Sequence, residues 1–171
     1  MSKIDELLTH GVERIYPSAE YLKARLESGE RLTVYNGIDP TGPTLHLGHL
    51  IPLRKLAQFQ ALGHKVILLI GDFTATIGDP TDKAAARVPL THGEVLANAK
   101  LYKKQASCVL AFTGPNAAEI RYNSKWLAKL TFREVLSLAA HFTYGQIVKR
   151  DMFQKRIAEG KELYLHEFLY P

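Results

Sequence analysis

The chain has 171 residues, of which 46% are hydrophobic and 23% charged, and this suits a domain of ordinary size folded around an apolar core. No apolar run reaches the roughly 20 residues that cross a bilayer, and the opening MSKIDELLTH is charged and helical in pattern, so neither a membrane span nor a signal peptide is expected. The net charge of +5 permits a polyanionic partner without identifying one, because the basic residues are scattered; the single Cys108 cannot form an internal disulfide and suits a reducing, cytoplasmic setting.

In chain order, the spacing predicts a first helix over IDELLTHGVERIY. Ser18 caps a second, AEYLKARLES, and Gly29 suits its end. RLTVYNGI is rich in β-formers and reads as a strand, and Asp39-Pro40-Thr41-Gly42-Pro43 is a turn cluster. From about His46 to Leu62 the residues Leu47, Leu50, Leu53, Ala57 and Ala61 recur at three- and four-residue steps, which predicts an amphipathic helix ended by Gly63. Pro52 lies about one turn into it and removes a donor to the carbonyl near Gly48; a helix that begins before Gly48 is expected to kink there. KVILLIG is wholly apolar, as a parallel strand covered on both faces would be. Strand, helix and strand then form a βαβ unit with a right-handed crossover. GDFTATIGDPTDKAAARVP is irregular and rich in Gly, Thr and Asp. Thr91 and Glu94 form a capping box for a helix running to about Cys108, and EIRYN is a candidate third strand. Thr131 and Glu134 form a second box before a helix to about His141. YGQIVKRDMFQKRIAEG is helical in pattern, and LYLHEFLYP closes the chain. The fold class expected is α/β, a doubly wound parallel sheet, with no repeat or low-complexity segment.

In an open α/β sheet, ligands bind beyond the carboxyl ends of the strands. The loop from Gly37 to Leu45 lies there, followed by a helix start, whose free N–H groups and positive potential suit phosphate. His46 and His49 are three apart in helical register and can face one side, each able to donate to a phosphate or ribose oxygen. Gly48 between them would let a flat ring lie against the backbone. The plainer alternative is that one histidine caps the helix and the other is a surface residue. Two histidines and a glycine placed directly after a strand and a Pro-rich turn favour the binding reading.

LHLGH resembles the HIGH signature of class I aminoacyl-tRNA synthetases and related nucleotidylyltransferases. Taken whole, YNGIDPTGPTLHLGH is similar to the tyrosyl-tRNA synthetase pattern. IGDFTATIGDPTDK, residues 70 to 83, resembles that family's second active-site loop, and LHEFLYP the start of the helix that holds the tyrosine amino group. The three occur in the family's order and spacing from about residue 31 onward. Tryptophanyl enzymes, the nearest relatives, usually carry Asn where this chain has His49 and lack the GDPT loop in this form. The resemblance implies a Rossmann-like class I (HUP) catalytic fold, of which this chain would be the first half. Residues 1–30 would be an N-terminal helical segment and 31–171 the N-terminal half of the nucleotide-binding catalytic domain. A KMSKS-type loop and an anticodon-binding domain would lie further on.

The implied reaction is activation of L-tyrosine by ATP to tyrosyl-adenylate and pyrophosphate, then transfer to the tyrosine tRNA. Positioning and charge stabilisation would carry it, without a protein nucleophile. By resemblance, Thr41, His46, His49, Lys83 and Arg87 are the catalytic set. Gly37, Asp39, His46, Gly48 and His49 bind ATP, while Tyr35, Gly37, Asp79 and Tyr170 bind tyrosine. Mg2+ is expected with ATP, with no protein metal site. The helices from 131 to 168 are expected to pack on the catalytic core and, in the full-length protein, to contribute to a homodimer. Plain alternatives stand beside these roles: a packed core aromatic for Tyr35, solvated charges for Lys83 and Arg87, and turn aspartates before proline for Asp39 and Asp79. Two other functions compete. A small HxGH nucleotidylyltransferase is opposed by GDFTATIGDPTDK and HEFLYP. A truncated module that binds nucleotide, tyrosine or RNA without turnover finds no RNP-type, KH or zinc motif in its favour.

Overall fold

A computed structural model describes residues 2–78 and 90–170. Asp79, Lys83 and Arg87 therefore lie outside the described residues. The chain forms two compact units: Met1–Ile38, Gly42–Ile70 and Asn98–Arg121 make the first, and Asp39–Thr41, Gly71–Ala97 and Tyr122–Pro171 the second.

The first unit is built on a βαβ motif. Strands β1 (Thr33–Ile38) and β2 (Lys65–Ile70) pair in parallel, in register from Thr33 opposite Lys65 to Ile38 opposite Ile70. Strand β3 (Glu119–Tyr122) completes a three-stranded sheet of order β1-β2-β3, with β2 in the middle. The central place of β2 explains its unbroken apolar run: Val66, Leu68 and Ile70 are almost wholly buried, each worth about 1.5–3 kcal/mol of burial. Helix α3 (Leu47–Ala61) packs on β1 and β2 and runs as one helix through Pro52. Its buried residues are Leu53, Leu56 and Phe59, whereas Leu47, expected on the apolar stripe, is 81% exposed. Leu47 is the first helical residue, and a helical side chain leans back toward the N-terminus, where no preceding turn of helix is there to pack on.

Helix α1 (Lys3–Thr9) opens with a reciprocal cap between Ser2 and Asp5. It stops well before Tyr16, where the pattern predicted its end. His10 turns extended, and Gly11 takes φ +64°, a conformation that favours glycine. The Lys55 ammonium then donates to the carbonyls of Leu7 and His10, each at 2.7 Å, satisfying groups left open at the helix end and tying α1 to α3. Burial pushes the Lys55 pKa down, against a smaller opposing pull from Glu6. Helix α2 (Ala19–Glu27) begins as predicted, with Ser18 Oγ accepting from the Tyr21 N–H at 3.2 Å. The single helix expected from Thr91 to Cys108 is two, α5 (His92–Ala99) and α6 (Tyr102–Ala106), although the Thr91–Glu94 box is present. Val95, Ala99, Tyr102 and Ala106 are all buried, so the apolar spacing continues across the break and conceals it in the sequence.

In the second unit, α4 (Thr74–Ile77) falls in the stretch read as irregular, and α7 (Ser124–Leu127) follows β3 directly. Buried Asp72 accepts from the Ser124 N–H at 2.9 Å and so caps α7. Helix α8 (Phe132–Ala139) has the predicted Thr131–Glu134 box. The continuous helix read over YGQIVKRDMFQKRIAEG divides into α9 (Tyr144–Val148) and α10 (Asp151–Ala158), because Arg150 takes an extended conformation. Helix α10 buries Phe153, whose ring lies 5.0 Å from that of Phe168. The expected packing of residues 131–168 does not extend to α8 and α9, which bury no residue and leave Phe132, Leu136, Leu138 and Tyr144 exposed. A 3₁₀ helix (Leu165–Leu169) ends the described chain. Among the described residues no helix is long and apolar enough to cross a membrane.

Candidate active site

His46 is the N-cap of α3, extended at φ −120° and ψ 177°. Its Nδ1 accepts from the Gly48 N–H at 3.1 Å, and the His46 N–H donates to His49 Nδ1, also at 3.1 Å. The two imidazoles therefore form a reciprocal cap, with ring centroids 3.9 Å apart. Each Nδ1 is an acceptor, which fixes both rings as the neutral tautomer with the proton on Nε2. Burial, with a smaller contribution from the neighbouring His46, pushes the His49 pKa down and reinforces its neutral form. The helix start thus carries a pair of Nε2–H donors beside its own N–H groups. A Cβ at Gly48 would come within 2.9 Å of the His46 ring, so in this structure the flat ring lying on the Gly48 backbone is that of His46.

The loop entering α3 is held by α6. Tyr102 donates its hydroxyl to the Gly42 carbonyl at 2.6 Å. Gln105 donates to the Pro43 carbonyl at 2.9 Å and accepts from the Leu45 N–H at 2.6 Å. On β1, Tyr35 is 67% exposed and so is no packed core aromatic. Beside it, Asn36 Oδ1 is buried with no hydrogen-bond partner among the described residues. A Cβ at Gly37 would meet Leu69 at ordinary contact distance, 3.9 Å, so packing inside the chain does not require glycine there.

The second unit holds the remaining described candidates. Asp39 Oδ1 accepts from the Thr74 hydroxyl at 2.7 Å, and Asp39 Oδ2 from the Tyr170 hydroxyl at 3.0 Å. The Thr41 N–H donates to the Asp39 carbonyl at 2.8 Å. The 3₁₀ helix before Tyr170 is anchored through buried Glu167, which accepts from the Tyr164 N–H at 2.7 Å and pairs with Arg156. Thus the structure joins His46, Gly48 and His49 in the first unit, and Asp39 and Tyr170 in the second. Thr74 and Asn123 escaped the sequence reading, because nothing local marks a contact made across 35 or 49 positions. Among the described residues no three or more His, Cys, Asp or Glu side chains group as a metal site.

Residues 27–171 match the family of class I tRNA synthetases for W and Y. The chain belongs to that family. It is 51% identical over 166 residues to the tyrosine–tRNA ligase of Deinococcus radiodurans, covering 97% of this chain and 40% of the relative. It is 50% identical over 170 residues to the tyrosine–tRNA ligase of a Synechococcus species, covering 98% and 41%. A C-terminally truncated mitochondrial tyrosyl-tRNA synthetase from Aspergillus nidulans superposes with a TM-score of 0.84 at 27% identity, over 99% of this chain and 51% of that one. The chain spans about 40% of the length of its two bacterial relatives, and its Rossmann-like α/β class agrees with the sequence expectation.

Proposed function

We propose that this chain supplies the first half of the catalytic domain of a tyrosine–tRNA ligase, with residues 31–171 forming the nucleotide-binding part after a helical lead-in. Its substrates are L-tyrosine, ATP and the tyrosine tRNA. The observation that carries this reading is the identity, at about half of all positions along nearly the whole chain, with bacterial tyrosine–tRNA ligases.

In the first step a tyrosine carboxylate oxygen bonds to the α-phosphorus of ATP. The bond from that phosphorus to its bridging oxygen breaks, and pyrophosphate leaves with the electron pair. Negative charge grows on the leaving phosphates. His46 meets it with an Nε2–H donor already oriented by its own Nδ1 bond, so little reorganisation is needed as the charge develops, while His49 turns its Nε2–H to the adenine and ribose. Thr41 shares this task with His46, and Lys83 and Arg87 supply positive charge to the pyrophosphate. Gly37, Asp39 and Gly48 face the nucleotide. Tyr35 meets the substrate hydroxyl, and Asp79 and Tyr170 accept from its ammonium group. Imidazole nitrogen at the α3 start does not suit Mg2+, which prefers oxygen, so Mg2+ would be held through the ATP phosphates rather than by His46 and His49. A cytoplasmic setting and a homodimer in the whole protein complete the reading; exposed Phe132, Leu136, Leu138 and Tyr144 support the latter.

The test is an NMR titration of the chain with a non-hydrolysable tyrosyl-adenylate analogue. Shifts concentrated at Tyr35, Asp39, Thr41, His46, His49 and Tyr170 are expected. A folded chain that shows no shifts, or shifts confined to other residues, contradicts the proposal.

A further inference from the structure

We propose that Gly71, Thr74 and Asn123 are positioning residues that fix the Asp39 carboxylate and, through it, the Tyr170 hydroxyl. The inference rests on the reading above, in which Asp39 and Tyr170 face the substrates. Asn123 is one of few buried polar side chains among the described residues, 6% exposed. Asn123 Oδ1 accepts from the Phe73 N–H at 2.8 Å, and a backbone N–H can only donate, so the orientation of the amide is settled. Asn123 Nδ2 must then donate, and it does so to Thr74 Oγ1 at 2.9 Å.

That donation uses a lone pair of Thr74 Oγ1 and leaves its proton to be placed. The better acceptor is Asp39 Oδ1 at 2.7 Å; the Gly71 carbonyl stands at 3.3 Å. The direction of every bond is therefore fixed, from Phe73 to Asn123 to Thr74 to Asp39. The other carboxylate oxygen, Oδ2, receives the Tyr170 hydroxyl. Gly71 supplies the room, since a Cβ there would collide with Asp39 Oδ1 and with Thr74 Oγ1. A carboxylate that accepts a directed bond at each oxygen and lies against a bare glycine has one orientation. Asp39 is thereby set before any ligand arrives, and the ordering cost is not drawn from binding.

The test uses Thr74→Val, which keeps the shape and removes the hydroxyl, beside Thr74→Ser, which keeps the donor, and Gly71→Ala, which fills the space. Crystal structures of the unliganded variants give the first readout. In Thr74→Val and Gly71→Ala, Asp39 is expected to leave its orientation and Tyr170 to lose its bond to Oδ2, with Thr74→Ser like wild type. Calorimetry with the tyrosyl-adenylate analogue gives the second: about tenfold weaker binding for Thr74→Val, recovered in Thr74→Ser. No further loss is expected when Thr74→Val is added to Asp39→Ala, because Thr74 acts through Asp39. Asp39 and Tyr170 unmoved in Thr74→Val would overturn the inference, and so would losses that multiply in the double variant. Should Asp39→Ala bind like wild type while Thr74→Val displaces Asp39, the positioning stands and the reading of Asp39 as substrate-facing falls.

Discussion

Tyr170 donates its hydroxyl to Asp39 Oδ2 at 3.0 Å, across 131 positions of sequence. A phenol that gives its proton to a carboxylate turns its oxygen lone pairs outward as acceptors. That is the form needed to receive a hydrogen bond from the ammonium group of an amino acid. Tyr170→Phe is predicted to raise KM for tyrosine about tenfold in the pyrophosphate-exchange reaction, with KM for ATP within about twofold of wild type. Equal rises in both KM values would show that Tyr170 does not act on the amino acid.

His46 has two separable duties, capping α3 with Nδ1 and presenting Nε2–H. Asparagine is a strong N-cap, and its side chain is shorter, so its amide N–H does not extend as far as the imidazole Nε2–H. His46→Asn is predicted to keep stability within about 0.5 kcal/mol, while His46→Ala loses about 1 kcal/mol. Both are predicted to slow activation by the order of 10²-fold. Urea melts and exchange rates measured on the same two proteins check this; normal activation by His46→Asn would leave His46 as a cap alone.

Tyr35 stands 67% exposed, so removing its hydroxyl disturbs little packing. Tyr35→Phe is predicted to leave the melting temperature unchanged and to reduce the preference for tyrosine over phenylalanine in exchange. The physical reason is that a site built to bond a substrate hydroxyl leaves its own polar group unpaired when that hydroxyl is missing. An unchanged preference would remove Tyr35 from the tyrosine site.

His64 is buried, and its Nδ1 accepts from the Leu32 N–H at 3.3 Å. Burial holds its pKa below the ordinary 6.5, and His49 is shifted the same way. The unfolded chain therefore takes up these protons at higher pH than the folded one. Their contribution is fully present above about pH 6.5 and is lost as pH falls through that value toward the folded pKa. Urea midpoints are predicted to drop between about pH 7.5 and about pH 5, less steeply in His64→Asn. An equal slope in the variant would show that His64 does not report on folding.

Local chemistry made much of this fold legible. Ser18, Thr91 and Thr131 cap helices where their spacing to later residues said they would, because a cap is written within four residues. The apolar run of β2 and the period of α3 declared the βαβ unit. Helices α4 and α7, of four residues each, are too short to show a period. The breaks at Lys100 and Arg150 were hidden by apolar spacing that runs on across them. At His46 the two competing readings, cap and ligand donor, are compatible, because one nitrogen serves each. The network from Asn123 to Asp39 was beyond reach of the sequence, since it depends on how distant segments meet.

The most direct test joins this chain to the remainder of the Deinococcus radiodurans tyrosine–tRNA ligase, in place of that enzyme's matching segment. The measurement is amino-acid-dependent exchange of labelled pyrophosphate into ATP. Exchange is predicted with L-tyrosine, at rates well above those with L-tryptophan or L-phenylalanine. Exchange driven as well by L-tryptophan, or a folded chimera silent with L-tyrosine where the parent ligase is active, would contradict the proposed function.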